Sequence, residues 1–154
     1  MIQRIQTLYL LVISILMILT SLLPLAFFSG GGQVVNLYSR GLYTPAGEVV
    51  QFMPYMLVIT IITAVMPLVI IFLYKNRITQ IRLCVTQIVL LFGVVVLLGV
   101  YFYLSYRSYA QFSDMSYGVH PAVAAPVIAI ILNFMAVNAI VKDEALVRSL
   151  DRIR

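Results

Sequence analysis

The chain has 154 residues, is 63% hydrophobic and only 10% charged, and carries a formal net charge of +5. Soluble domains hold about 25% charged residues, so a soluble fold of this length could not hide this much apolar surface, and the composition points to a bilayer. Its single cysteine, Cys84, excludes an intrachain disulfide and a Cys-x-x-Cys redox centre; the basic balance speaks to orientation and anionic lipid, because no basic run with interleaved exposed aromatics marks a nucleic-acid surface.

Met1-Ile2-Gln3-Arg4 leads into an apolar run over about residues 5–28, span 1. The run is too long for a signal-peptide core and no Ala-x-Ala site follows, so it reads as an uncleaved signal anchor. Ser14, Thr20 and Ser21 are expected to bond back to their own helix, and Pro24 to kink or stop it. Ser29-Gly30-Gly31-Gly32 is a breaker. Between Gln33 and Gln51, Val34, Val35, Leu37 and Tyr38, then Leu42 and Tyr43, flank Ser39-Arg40-Gly41, and Val49-Val50 follow Pro45-Ala46-Gly47. That pattern predicts a small β-hairpin-like loop over the helix ends, with a loop lacking regular structure as the alternative.

Span 2 covers about residues 52–74. Pro54 suits its first turn, and Pro67, in its interior, should kink the helix and leave the Thr63 carbonyl without its usual donor. A basic link, Lys75–Arg82, then joins two antiparallel neighbours. Span 3 covers about residues 83–106 and ends in Tyr101, Phe102, Tyr103 and Tyr106, followed by Tyr109 and Phe112; with no Trp in the chain, these tyrosines are expected to form an interfacial belt. After the loop Arg107–His120, span 4 covers about residues 121–141. Ala122, Ala125, Ala129, Asn133 and Ala136 recur there at spacings of three and four. This puts small residues and one amide on one helix face, a close-packing surface for a neighbouring helix or a second copy. The tail, residues 142–154, continues as an amphipathic helix with Leu146, Val147, Leu150 and Ile153 on one face, and Glu144–Arg148 and Arg148–Asp151 within pairing distance.

Charge sets the expected topology. Arg4, Lys75, Arg77, Arg82, Lys142, Arg148, Arg152 and Arg154 share one side, against Arg40 and Arg107 on the other. The positive-inside bias places both termini and the link in the cytoplasm.

No Asp, Glu, Lys, Arg or His falls within the four spans. Ion-coupled transport and intramembrane metal hydrolysis need such groups near the midplane, so both are excluded as readings. His120 is the sole histidine and has no second ligand beside it; a lone loop histidine reads as a cap or a solvated side chain. Glu48 and Asp114, the only outward acids, stand apart in sequence. There is no Gly-x-Ser-x-Gly elbow and no Walker-type loop. Cys84 reads as a buried small hydrophobe. The chain is therefore expected not to be an enzyme and to need no cofactor and no metal.

Three segments carry a family resemblance. Met1-Ile2-Gln3-Arg4-Ile5-Gln6-Thr7-Leu8-Tyr9-Leu10, the link Lys75-Asn76-Arg77-Ile78-Thr79-Gln80-Ile81-Arg82-Leu83-Cys84 and the tail from Lys142 to Arg154 resemble the corresponding segments of small four-span membrane proteins from Bacteroidota, catalogued as a domain of unknown function. The resemblance implies no activity.

Together these observations predict an all-α membrane protein: one domain, residues 1–154, forming a four-transmembrane-helix bundle with both ends inside. The expected role is a non-catalytic accessory or scaffold subunit, docking a membrane partner or a second copy through Arg4, Lys75, Arg77, Arg82, Asp143, Glu144, Arg148, Asp151 and Arg152, and touching membrane lipids. The alternative is binding or passage of an apolar ligand such as lipid or quinone, in a cleft lined by Thr60, Thr63, Gln87 and Asn133. Asp143, Glu144 and Asp151 are the only acids on the link side, so an intramolecular ion pair from Arg77 or Arg82 must use one of them.

Overall fold

The computed structural model describes residues 3–73 and 76–151, with side chains for residues 5–73 and 76–146. The chain forms helix α1 (Gln3–Leu22), strands β1 (Ala26–Gly30), β2 (Gln33–Tyr38), β3 (Gly41–Tyr43) and β4 (Val49–Phe52), helices α2 (Pro54–Phe72) and α3 (Arg77–Tyr109), strand β5 (Ser116–Val119), a 3-10 turn (Pro121–Ala124) and helix α4 (Ala125–Asp151). All four helices are long and apolar enough to cross a membrane. They pack side by side in a ring in which α1 touches α2 and α4, and α3 touches the same two.

The all-α expectation is wrong. The strands form one five-stranded antiparallel sheet in the order β4-β3-β2-β1-β5. It lies at the end of the helices opposite the link, because every strand connects to that end. The expected hairpin around Ser39-Arg40 is present as β2–β3, but it is only the middle of the sheet. Two strands were concealed. Ala26–Gly30 looks like the end of span 1 by hydropathy alone. However, Pro24 supplies no N–H and biases Leu23 away from helical backbone, so α1 stops at Leu22 and Leu25 N–H donates to the Leu37 carbonyl at 2.7 Å instead. Gly31 and Gly32 both have positive φ, +62° and +76°, the backbone of a two-residue primed turn that matches the strand twist. The second concealed strand, β5, comes from the loop before span 4 and pairs with the free edge of β1, setting Phe27 opposite Gly118.

Alternation builds the two faces of the sheet. Ala26, Phe28, Val35, Leu37 and Leu42 are buried on the inner face with Met53, against Tyr101, Phe102 and Tyr109 of α3. The aromatic end of α3 is thus divided. Phe28 stacks on Tyr109 and tilts against Phe102 with ring centroids 6.1 and 5.3 Å apart, whereas Tyr103 stays 61% exposed. Between the helices, the core gathers Leu10, Ile13 and Met17 of α1, Ala64 and Ile70 of α2, Cys84, Leu91 and Val94 of α3, and Ala129, Ile130, Ala136 and Ile140 of α4.

The outward surface of the helices is apolar. Leu8, Val58, Phe72, Val89, Val96 and Ile131 are all more than half exposed. On a water-soluble protein such a surface would drive association; in lipid it is the favourable one, because there is no hydrophobic penalty for facing the bilayer.

Candidate functional site

Several polar side chains inside the helical ring donate to backbone carbonyls, while Gln6 Nε2 and Ser105 Oγ are buried without a partner among the described residues. Pro67 removes the N–H that would bond to the Thr63 carbonyl, and that carbonyl accepts instead from Gln87 Nε2 of α3 at 2.8 Å. The carbonyl of the next residue, Ala64, accepts from Ser14 Oγ of α1 at 2.7 Å. Ser14 therefore bonds across helices, not back into its own as its sequence context predicts; Thr20 does bond back, to the Leu16 carbonyl at 2.8 Å. Gln80 Nε2 caps the Ile70 carbonyl in the last turn of α2 at 2.9 Å. Asn133 Nδ2 of α4 reaches the Cys84 carbonyl of α3 at 3.3 Å. Thr60 and Thr63 are fully buried and donate within α2, to the Met56 carbonyl and to those of Ile59 and Thr60. The amide oxygens of Gln87 and Asn133 are buried without a partner among the described residues, so each amide contributes through its NH2 alone.

The small-residue face of α4 lies along this interior. Ala125, Ala129, Asn133 and Ala136 are buried, and Ala122, in the preceding 3-10 turn, is half-buried. Cys84 is a free, fully buried thiol.

The link end carries the charged surface. Arg77 Nη1 lies 2.8 Å from Asp143 Oδ2, with the two side chains 24% and 15% exposed. The nitrogen is not aligned for a hydrogen bond, so the contact is a close ion pair. At this exposure it contributes on the order of 1 kcal/mol or less. Its structural effect is to tie the first residue of α3 to the last third of α4. Beside it, Asn76, Arg77, Ile78, Thr79 and Glu144 line a polar recess of ≈ 550 Å³. Arg82 is exposed and makes no ion pair among the described residues. The side chains of Arg4, Arg148 and Asp151, and residues Lys75 and Arg152 altogether, lie outside the described residues. α4 itself continues unbroken to Asp151, so the helical tail is an extension of the fourth span.

The family model described as a domain of unknown function, DUF4293, matches residues 2–153. The chain belongs to this family. No curated protein matches it.

In this DUF4293 chain the sheet end holds little ionisable chemistry. His120 does not cap the following helix; its ring sits 6.0 Å from that of Phe27, and its backbone N–H donates to the Leu25 carbonyl at 2.9 Å. Asp114 Oδ1 accepts from Gly31 N–H at 3.4 Å, holding the loop after α3 over the glycine turn. Arg40 lies over the rings of Tyr38 and Tyr43, 5.3 and 4.9 Å from their centroids. Among the described residues no group of three or more His, Cys, Asp or Glu is placed to hold a metal ion. Sequence reasoning overlooked the capping roles of Ser14 and Gln80. For Gln80 the available signal was the set of carbonyls that the end of α2 leaves open, which a neighbouring span must satisfy in lipid; no local signal marks the Ala64 carbonyl that Ser14 meets.

Proposed function

We propose that this protein is a non-catalytic accessory or scaffold subunit of a complex in a bacterial inner membrane, with both termini and the link in the cytoplasm. It docks an integral membrane partner through the charged end. The observation that carries this reading is the Arg77–Asp143 ion pair. It joins the link and the tail, two segments far apart in sequence, into one polar surface with a recess beside it. Two further facts support the reading. The apolar spans carry no Asp, Glu, Lys, Arg or His, and Ser14, Gln87 and Asn133 within them donate to backbone carbonyls. The cationic excess at the link end supports the orientation.

Affinity purification of the full chain from its native membrane in mild detergent, followed by mass spectrometry, tests the role. A defined membrane partner is expected. Asp143→Arg, which sets two cations against each other, should reduce its recovery, and the exchanged pair Arg77→Asp/Asp143→Arg should restore it. Recovery of this protein alone, together with a tail that is dispensable in the cell, would overturn the proposal.

A further inference from the structure

The outer surface between α1 and α4, at the link end, is grooved. Ile5 and Tyr9 form one wall; Met135, Asn138, Ala139, Lys142, Asp143 and Leu146 form the other, around ≈ 430 Å³. The groove joins an apolar path to a charged end. Ile5, Met135 and Ala139 are apolar, and the first two are 50% and 44% exposed. α1 leaves the link end and α4 returns to it, so Lys142 and Ile5 stand at the link end, Tyr9, Asn138 and Ala139 lie further along the helices, and Met135 is furthest from the link.

The charge of this end is decided by the ion pair. Asp143 borders the groove, but its carboxylate is held by Arg77. Lys142 has no ion pair among the described residues, and Tyr9 no hydrogen bond through its hydroxyl. The groove therefore presents one uncompensated cation and two neutral hydrogen-bonding groups. Lys142 is also the first charged residue after the apolar run of span 4, so its depth is that of the lipid headgroups, where a lysine reaches toward the interface.

We infer that this groove is a binding site for one anionic phospholipid: Lys142 holds the phosphate at the link end, and an acyl chain runs from there along Ala139 and Met135, passing the Asn138 amide and Tyr9. Basic recesses between membrane helices recognise anionic headgroups in this way. The site lies on the outer face of the helices, away from the interior amides, and does not depend on the docking of a protein partner.

Native mass spectrometry of the full chain in a neutral detergent tests this, with dioleoyl-phosphatidylglycerol and dioleoyl-phosphatidylcholine as probes. One phosphatidylglycerol should be retained at concentrations where phosphatidylcholine is not. Lys142→Gln should weaken its retention about tenfold, and Lys142→Arg should restore most of it. Ala139→Phe fills the acyl path without changing charge and should also abolish retention. Arg107→Gln, at the opposite end, should leave it unchanged. Equal retention of the two lipids, an undiminished Lys142→Gln variant, equal losses in Lys142→Gln and Arg107→Gln, or a second copy of the chain displacing the lipid would each overturn the inference.

Discussion

Pro67 deprives α2 of one donor, and the response to that loss organises the interior. A carbonyl left open in water is solvated; in a hydrocarbon environment it must find a protein donor or cost several kcal/mol. Gln87 supplies that donor to Thr63 from α3, and Ser14 reaches the adjoining Ala64 carbonyl from α1. Three helices are thereby linked at the level of one proline. This makes a conditional prediction. Gln87→Leu should destabilise the protein by about 1 kcal/mol, in the range of side-chain hydrogen bonds within membranes. Pro67→Ala returns a backbone N–H to the Thr63 carbonyl, so the same Gln87→Leu change should cost much less in that background. Equilibrium unfolding of the four variants in mixed micelles measures the coupling; an equal cost in both backgrounds would refute the role assigned to Gln87. The open carbonyl is readable from sequence, because proline chemistry is local. Its partner is not, because Gln80 of the link and Gln87 of span 3 both offer an amide, and only packing decides which amide meets which carbonyl.

Among the elements, the sheet is where local reading fell short. β2, β3 and β4 announce themselves by alternation and by the glycines between them. β1 does not, since Ala26, Phe27 and Phe28 continue an apolar run that hydropathy assigns to a helix. β5 is only Ser116–Val119, too short to pair alone, and it exists because β1 offers an open edge. Phe27 covers Gly118 across that pairing, and a Cβ at Gly118 would collide with the Phe27 ring. Gly41 matters in the same way. Its φ is +145°, and a Cβ there would collide with the Gln51 carbonyl oxygen of β4. Gly41→Ala should therefore separate β4 from β3 and speed hydrogen exchange at Val49–Phe52. Gly32→Ala should not, although it adds about 1–2 kcal/mol of backbone strain at φ +76°, because nothing lies within 4 Å of the added carbon. Unchanged exchange at Val49–Phe52 in Gly41→Ala would show that the β3–β4 pairing tolerates the collision.

For the molecule as a whole, the alternation of four helices sets the sheet at one end and the link and tail at the other, and the proposed orientation puts the link end in the cytoplasm. Replacing Cys84 by Ser leaves a cysteine-free background. There, Glu48→Cys, in an exposed turn between β3 and β4, should react with an impermeant maleimide in intact cells. Thr79→Cys should react only after permeabilisation; labelling of Thr79→Cys from outside would reverse the orientation. What the sequence determined alone was four helices apolar enough to cross a membrane and the clustering of the cations at the link end, because hydropathy and charge are sums over local residues. What only the tertiary structure decided was the five-stranded sheet, the donors that close the gap at Pro67 and the choice of Asp143 as the partner of Arg77. Each of these depends on segments distant in sequence meeting at fixed geometry, and periodicity carries no information about which distant group lies across the interface.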